Sequence, residues 1–276
     1  MSLPTGFVFS QASLQDYVDC PRRFQLRYLL RIAWPTPLPE PILESEQHLQ
    51  RGLDFHRLIH QYLLGIPAEL LTASIADAEL RNWWQAYQAF PPADLPPTRY
   101  AEVALSAPLA GYRLLAQYDL IAAAPGEWLT IVDWKTNLRR PTRAWLERRL
   151  QTRVYRYLLV VAGQRFNSGQ SVSPEMVAMV YWFANFPAQP ERFRYGQAEW
   201  EADKAYLEAL AGEIAGQAAA GDWDMTEETE RCHYCHYFSL CERKVNLAPL
   251  TEVEEGLAEE PASPDINLEQ VGEIEF

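Results

Sequence analysis

No stretch of about 18 consecutive apolar residues occurs in the 276-residue chain, which excludes an ordinary membrane-spanning helix. The N-terminus, MSLPTGFVFSQASLQDY, has neither the basic start nor the apolar segment of a secretory leader, so a cytoplasmic protein is expected. No G-x-x-x-x-G-K-[ST] signature is present, hence no P-loop for a nucleoside triphosphate. No internal repeat is visible. Cysteine is scarce, at four residues. A reducing compartment keeps such thiols unpaired, which favours metal ligation over disulfides. Basic side chains are missing from residues 251–276, which hold nine Asp and Glu. That segment is too polar and charged to fold alone and is expected to be a disordered acidic tail.

The rest of the chain has enough apolar material for a sizeable core: 48% hydrophobic residues, with nine Trp and fourteen Tyr. The net charge is −13, but without the nine acids of the tail it falls to −4. Residues 133–157 carry seven Arg and one Lys against two acids, and Arg22, Arg23, Arg27 and Arg31 form a second basic group. A body with such patches can hold a phosphate backbone. A solvated helix face explains an Arg run equally well.

The chain reads as helices, a β-meander, a helix, a strand and a helix. Helix is expected over Gln11–Leu30, with Ser10 as N-cap and Pro21 dividing it. A Pro-rich linker, Trp34–Pro41, follows. Helices are expected over 46–64 and 75–90, the second with Trp83, Trp84 and Tyr87 on its apolar side. Strands follow at about 99–107, 111–123 and 128–135, with Gly111 and Gly126 at the turns. A helix over about 142–163 begins after Pro141. Strands at 176–184 and 191–195 and a helix over 197–219 complete an α/β core with helical additions at both ends.

The stretch TIVDWKTN carries two charges into a buried strand. If Pro125, Gly126 and Glu127 form the loop of the second hairpin, counting outward puts Asp119 directly opposite Asp133. Opposed antiparallel residues bring their Cβ atoms to about 4.5–5.5 Å on one face. Lys135, two residues on, shares that face. Two adjacent carboxylates repel unless a cation lies between them. A Mg²⁺ ion would take carboxylate oxygens, water and a backbone carbonyl. It would also activate a bound water and polarise a phosphoryl oxygen. A buried Asp–Lys ion pair is the plainer alternative. Gln151 and Tyr155 lie at i and i+4 on one face of the following helix, where their tips can reach back to the strand end. GLDFHRLIHQ places His56 and His60 at the same spacing, without the glutamate of an HExxH zinc site. An imidazole beside the carboxylates would add some preference for Mn²⁺ over Mg²⁺.

Taken together, Gly52 to His56, AQYD ending at Asp119, Asp133-Trp134-Lys135, and Gln151 to Tyr155 resemble the RecB-type branch of the PD-(D/E)XK nucleases. They stand in that family's order, with Ala116 where the family usually has Gly. The resemblance implies a restriction-endonuclease-like core, a mixed central sheet flanked by helices, over residues 1–250 with a helical insert at 66–98. It implies His56, Asp119 and Asp133 as metal ligands, Trp134 lending its carbonyl, Lys135 acting on water and phosphate, and Gln151 and Tyr155 organising the site and the DNA.

The cysteines are Cys20, in DCPRRF, and Cys232, Cys235 and Cys241, in CHYCHYFSLC. Spacing alone allows tetrahedral Zn²⁺ or an iron–sulfur cluster. The N-terminal Cys-Pro-Arg-Arg-Phe with a C-terminal triplet resembles the iron–sulfur branch of these nucleases, which includes the AddB nuclease domain and the CRISPR-adaptation nucleases. By that likeness the four cysteines hold a [4Fe–4S] cluster that clips the chain ends around the core. The implied activity is a Mg²⁺- or Mn²⁺-dependent deoxyribonuclease on single-stranded DNA or DNA ends, in repair or recombination. Arg22, Arg23, Arg139, Arg140, Arg148, Arg149 and Arg153 are the candidate DNA contacts. A separate helicase or single-strand-binding protein is a candidate partner. The alternatives are CRISPR spacer acquisition and a catalytically silent DNA-binding subunit of a helicase–nuclease complex.

Overall fold

The computed structural model describes residues 2–32, 41–235 and 237–243. Most of the Pro-rich linker, His236 and the acidic tail lie outside the described residues. Strand β1 (Val8–Ser10) runs straight into helix α1 (Gln11–Asp19), where Ser10 and Ser13 form a reciprocal capping box. Helix α2 (Pro21–Phe24) and a π-turn (Gln25–Leu29) continue from it after a break at Cys20. Helices α3 (Pro41–Leu63), α4 (Ala68–Ser74) and α5 (Ala78–Ala89) precede strands β2 (Thr98–Leu109), β3 (Tyr112–Ala124) and β4 (Trp128–Lys135). Then come α6 (Arg143–Arg148), α7 (Leu150–Ala162), β5 (Val177–Phe183), β6 (Glu191–Arg194) and α8 (Gln197–Ala220).

Each element expected from the sequence is present, with four differences. β1 and α4 are additional. The helix expected from residue 46 begins at Pro41. The helix expected over 142–163 is two helices, because Arg149 is extended (ψ 140°). Pro141 stands just before the N-cap Thr142, as the sequence places it. The break at Arg149 places Gln151 in the first turn of α7.

The six strands form one mixed sheet. β3 pairs antiparallel with β2 along one edge; on its other edge it meets β1 in parallel at Arg113–Leu115 and β4 antiparallel at Leu120–Ala124. β4 pairs parallel with β5, and β5 antiparallel with β6. The first hairpin turns through Ala110 (φ +47°) and Gly111 (φ +83°), the two left-handed residues that a type I′ turn requires. The second turns through Pro125, Gly126 (φ +80°) and Glu127, as the sequence count required. Asn167 anchors it by accepting the Gly126 N–H at 2.7 Å.

Two cores lie on the two faces. The larger is built from α1, α7 and α8 against the sheet, with Tyr118, Ile131, Leu158 and Tyr181 fully or nearly buried. The smaller packs α3 and α5 on the other face through Phe55, Trp83, Trp84, Trp134 and Trp182. Burying each of these rings contributes about 1.5–3 kcal/mol, which anchors α3 and α5 on the sheet. β2 and β3 exchange faces at one point. Leu114, Ala116 and Tyr118 face the larger core, and so do Ile121 and Ala123, whereas Leu120 belongs to the smaller. The exchange falls where Glu102 takes a left-handed conformation (φ +50°) between the rungs Ala101–Leu120 and Val103–Tyr118.

Candidate active site

Between β1 and β4 the edge of β3 is open, and the polar groups gather there. Leu120–Val132 is the last rung of the β3–β4 ladder, and Asp119 and Asp133 stand one step beyond it. Each carboxylate meets a basic side chain and a neutral donor. Asp119 Oδ1 lies 3.0 Å from His56 Nδ1, and its Oδ2 accepts the Trp134 N–H at 2.8 Å. Asp133 Oδ2 lies 3.0 Å from Lys135 Nζ, and its Oδ1 accepts from Gln151 Nε2 at 2.6 Å. His56 comes from α3, over the smaller core, and Gln151 from α7, over the larger. The two acids are therefore held from opposite layers rather than on one plain face. The face exchange in β3 is the physical reason strict alternation does not hold at this position.

Local sequence explains the placement. Gly52 lets α3 approach the loop after β4: a Cβ there would lie 3.2 Å from Thr136 Oγ1. His48 Nε2 meets the Thr136 carbonyl at 3.1 Å, and Asn185 donates to the carbonyls of Thr136 and Asn137. These contacts fix the backbone beyond Lys135. Trp134 contributes its N–H, and its indole is buried in the smaller core. Tyr155 is also buried, its ring 4.7 Å from that of Tyr118, whose hydroxyl donates to the Tyr155 carbonyl. His60, one turn beyond His56, is half-buried.

Burial alone would push the His56 imidazole down. The Asp119 carboxylate beside it, with Asp133 further away, overrides that and lifts it from 6.5 to about 9. The protonated form of His56 is therefore favoured beside Asp119. Among the described residues no three His, Cys, Asp or Glu side chains stand in ready metal-ligand geometry. The donors themselves, oxygens from two acids and one imidazole, are of the type that Mg²⁺ or Mn²⁺ accepts.

Glu102 was not singled out by the sequence reading. It stands between the rungs Ala101–Leu120 and Val103–Tyr118, is half-buried, accepts from Gln117 Nε2 at 2.7 Å, and has its carboxyl raised by burial and by Asp119. Counting back from the Ala110–Gly111 turn would have found it.

The family model of the PD-(D/E)XK nuclease superfamily matches residues 8–242. The chain belongs to this superfamily. Its mixed sheet with helices on both faces is the restriction-endonuclease-like fold. Among solved structures, SSO0001 is similar over 87% of this chain and 87% of its own, at 13% identity and a TM-score of 0.40. A candidate exonuclease from Eubacterium rectale is similar over 86% of this chain and 88% of its own, at 9% identity and a TM-score of 0.46. No curated protein matches the sequence. No helix among the described residues is long and apolar enough to cross a membrane.

The remaining predicted residues of this PD-(D/E)XK protein divide by environment. Arg139 and Arg148 are exposed, and Arg149 stacks on Trp145 at 4.8 Å. Arg140 is paired with Glu191, and Arg153 with Asp203 at 3.2 Å. Arg22 bonds the Gln25 amide. Arg23 is 6% exposed and held between Asp16 at 2.8 Å and Asp19 at 2.9 Å, so its expected surface role does not suit it. Its charge is consumed inside the fold.

Cys20, Cys232, Cys235 and Cys241 line one cavity with Arg23, Arg231 and Arg243. The contact is made by α1–α2 closing on the segment after α8: Phe24 stacks on Trp223 at 5.7 Å, and the Arg22 N–H donates to the Asp224 carbonyl at 3.0 Å. Burial, then Cys20 and Cys232, push the Cys241 thiol up, against the pull of Arg22 and Arg243.

Proposed function

We propose that this protein is a Mg²⁺- or Mn²⁺-dependent deoxyribonuclease that acts as an exonuclease on single-stranded DNA or DNA ends, in repair or recombination. The observation that carries the reading is the convergence of four separate segments on one strand gap: His56 on Asp119, Gln151 on Asp133, and Lys135 on Asp133. Asp119, Asp133 and His56 would hold the ion. When bound, it would lower the pKa of a water and polarise a phosphoryl oxygen. His56 has to surrender its proton before it can ligate. Gln151 fixes one oxygen of Asp133 and leaves the other directed at Lys135, whose ammonium can align the attacking water and offset charge developing on the phosphate. Tyr155, one turn beyond Gln151, backs the site through Tyr118. Exposed Arg139 and Arg148 are the side chains best suited to a phosphate backbone.

The four cysteines are proposed to hold a structural [4Fe–4S] cluster. Four thiolates carry a negative charge that Arg243, which lines the same cavity and donates to Cys232 Sγ at 3.6 Å, would offset. Digestion of end-labelled single- and double-stranded DNA, with free and with blocked ends, tests the catalytic reading. Degradation from free single-stranded ends with Mg²⁺ or Mn²⁺ is expected, and Asp133→Asn should lose at least about 100-fold. Binding without cleavage would point to a silent subunit, and an undiminished Asp133→Asn variant would refute the site. Anaerobically purified protein should be brown; colourless protein would mean zinc or empty thiols.

A further inference from the structure

Helix α7 has no cap of its own. Its N-cap residue, Arg149, makes no side-chain capping bond. The first free amide, Leu150 N–H, donates instead to Gln15 Oε1 of α1 at 3.1 Å. Gln15 is 8% exposed, and its Nε2 donates to Asp19 Oδ1 at 2.9 Å. The two partners fix the orientation of the amide, because a carbonyl oxygen must face the N–H and an NH₂ must face the carboxylate. On one side, Asp19 is bound by Arg23 at 2.9 Å and by Arg231, both of which line the cysteine cavity. On the other, Leu150 is followed by Gln151, the residue that holds Asp133 at 2.6 Å.

We propose that Gln15 is a positioning residue of the nuclease site. By capping α7 from α1 it seats Gln151 on Asp133, and through Asp19 it ties that seat to the cysteine-lined clip. The inference rests on the reading of Asp133 as a metal ligand. Groups that orient a metal ligand from behind commonly govern affinity by 10–100-fold when removed. Gln15 is such a group at one further remove, and it acts on the backbone of the helix that carries the orienting amide. The same connection gives the distant chain ends a route to the strand gap. A shift of Arg231 or Arg23 would move Asp19, and Asp19 accepts from Gln15.

The test is Mn²⁺ affinity of full-length, anaerobically purified protein, read by electron paramagnetic resonance of the free ion at low temperature. Asp133→Asn should abolish the site in otherwise wild-type protein. Gln15→Leu should raise Kd by at least about tenfold. A merely structural role would lower Tm and leave Kd per folded molecule unchanged. Should Gln15→Leu fail to fold, Gln15→Met carries the same comparison. Arg231→Met should weaken Mn²⁺ binding about threefold alone and add nothing to Gln15→Met, since both lie on one path. An unchanged Kd in Gln15→Leu or Gln15→Met, beside loss in Asp133→Asn, overturns the role of Gln15 alone. Independent effects of Arg231→Met and Gln15→Met overturn the tie to the clip. An unchanged Kd in Asp133→Asn overturns the metal site itself.

Discussion

Replacing Asp119 with Asn should reverse the protonation of His56. In the metal-free protein burial depresses the imidazole, but Asp119, 3.0 Å away, raises it to about 9. Moving it from 6.5 to about 9 corresponds to about 3 kcal/mol of preference for the charged form. This is a ceiling, because the His56 side chain is 31% exposed and solvent screens part of the pair. With Asn at 119 the depression by burial is left unopposed by its nearest anion, and the imidazole should titrate at 6.5 or below. The assay is an NMR titration of the five histidine Cε1 protons, with His56 assigned through His56→Gln. The sign for stability follows. A histidine raised in the folded state contributes stability that is full below 6.5 and is lost as pH rises through about 9. Metal-free wild type should therefore lose stability relative to Asp119→Asn across that window. A wild-type His56 titrating near 6.5, or an Asp119→Asn variant still titrating near 9, would refute the reasoning.

Three further outcomes follow from the packing. Gly52→Ala should not deliver the gain of about 1 kcal/mol that Ala normally brings to a helix, because its Cβ meets Thr136 Oγ1 at 3.2 Å; the gain should return in Gly52→Ala with Thr136→Ala, as read by Tm. Arg23→Met should destabilise by about 3 kcal/mol in urea unfolding, at the lower end for a broken buried pair, because Asp16 keeps Arg27 and Asp19 keeps Arg231. Deleting residues 251–276 should leave cleavage unchanged, and tighter DNA binding at low salt by the truncated protein would instead mark the acidic segment as a screen for the basic surface.

The second hairpin shows how much of the site was legible. Gly126 with its neighbours set the loop, and the loop set a register whose last rung, Leu120–Val132, stops one step short of Asp119 and Asp133. Gln151 was legible as a polar group on the face of a helix after the strand, and its amide does reach Asp133. What periodicity could not supply was direction. Alternation assigns one face per parity, and the face exchange beside Glu102 breaks it, so Asp119 is held from the α3 layer. The break at Arg149 was hidden because nothing in LERRLQT is a strong helix breaker. The extended residue there leaves Leu150 to be capped by Gln15, a partner 135 residues away that no local rule can reach. Arg23 was misjudged for a similar reason. Its surface look in CPRRF ignores two aspartates on the preceding helix that take its charge inward.

The central claim is that one divalent ion sits in the strand gap between Asp119 and Asp133. Crystals soaked in Mn²⁺ and measured at the manganese edge test this directly. The account predicts an anomalous peak held by Asp119, Asp133 and His56. A gap without a peak, or with manganese only at sites elsewhere on the surface, would contradict it.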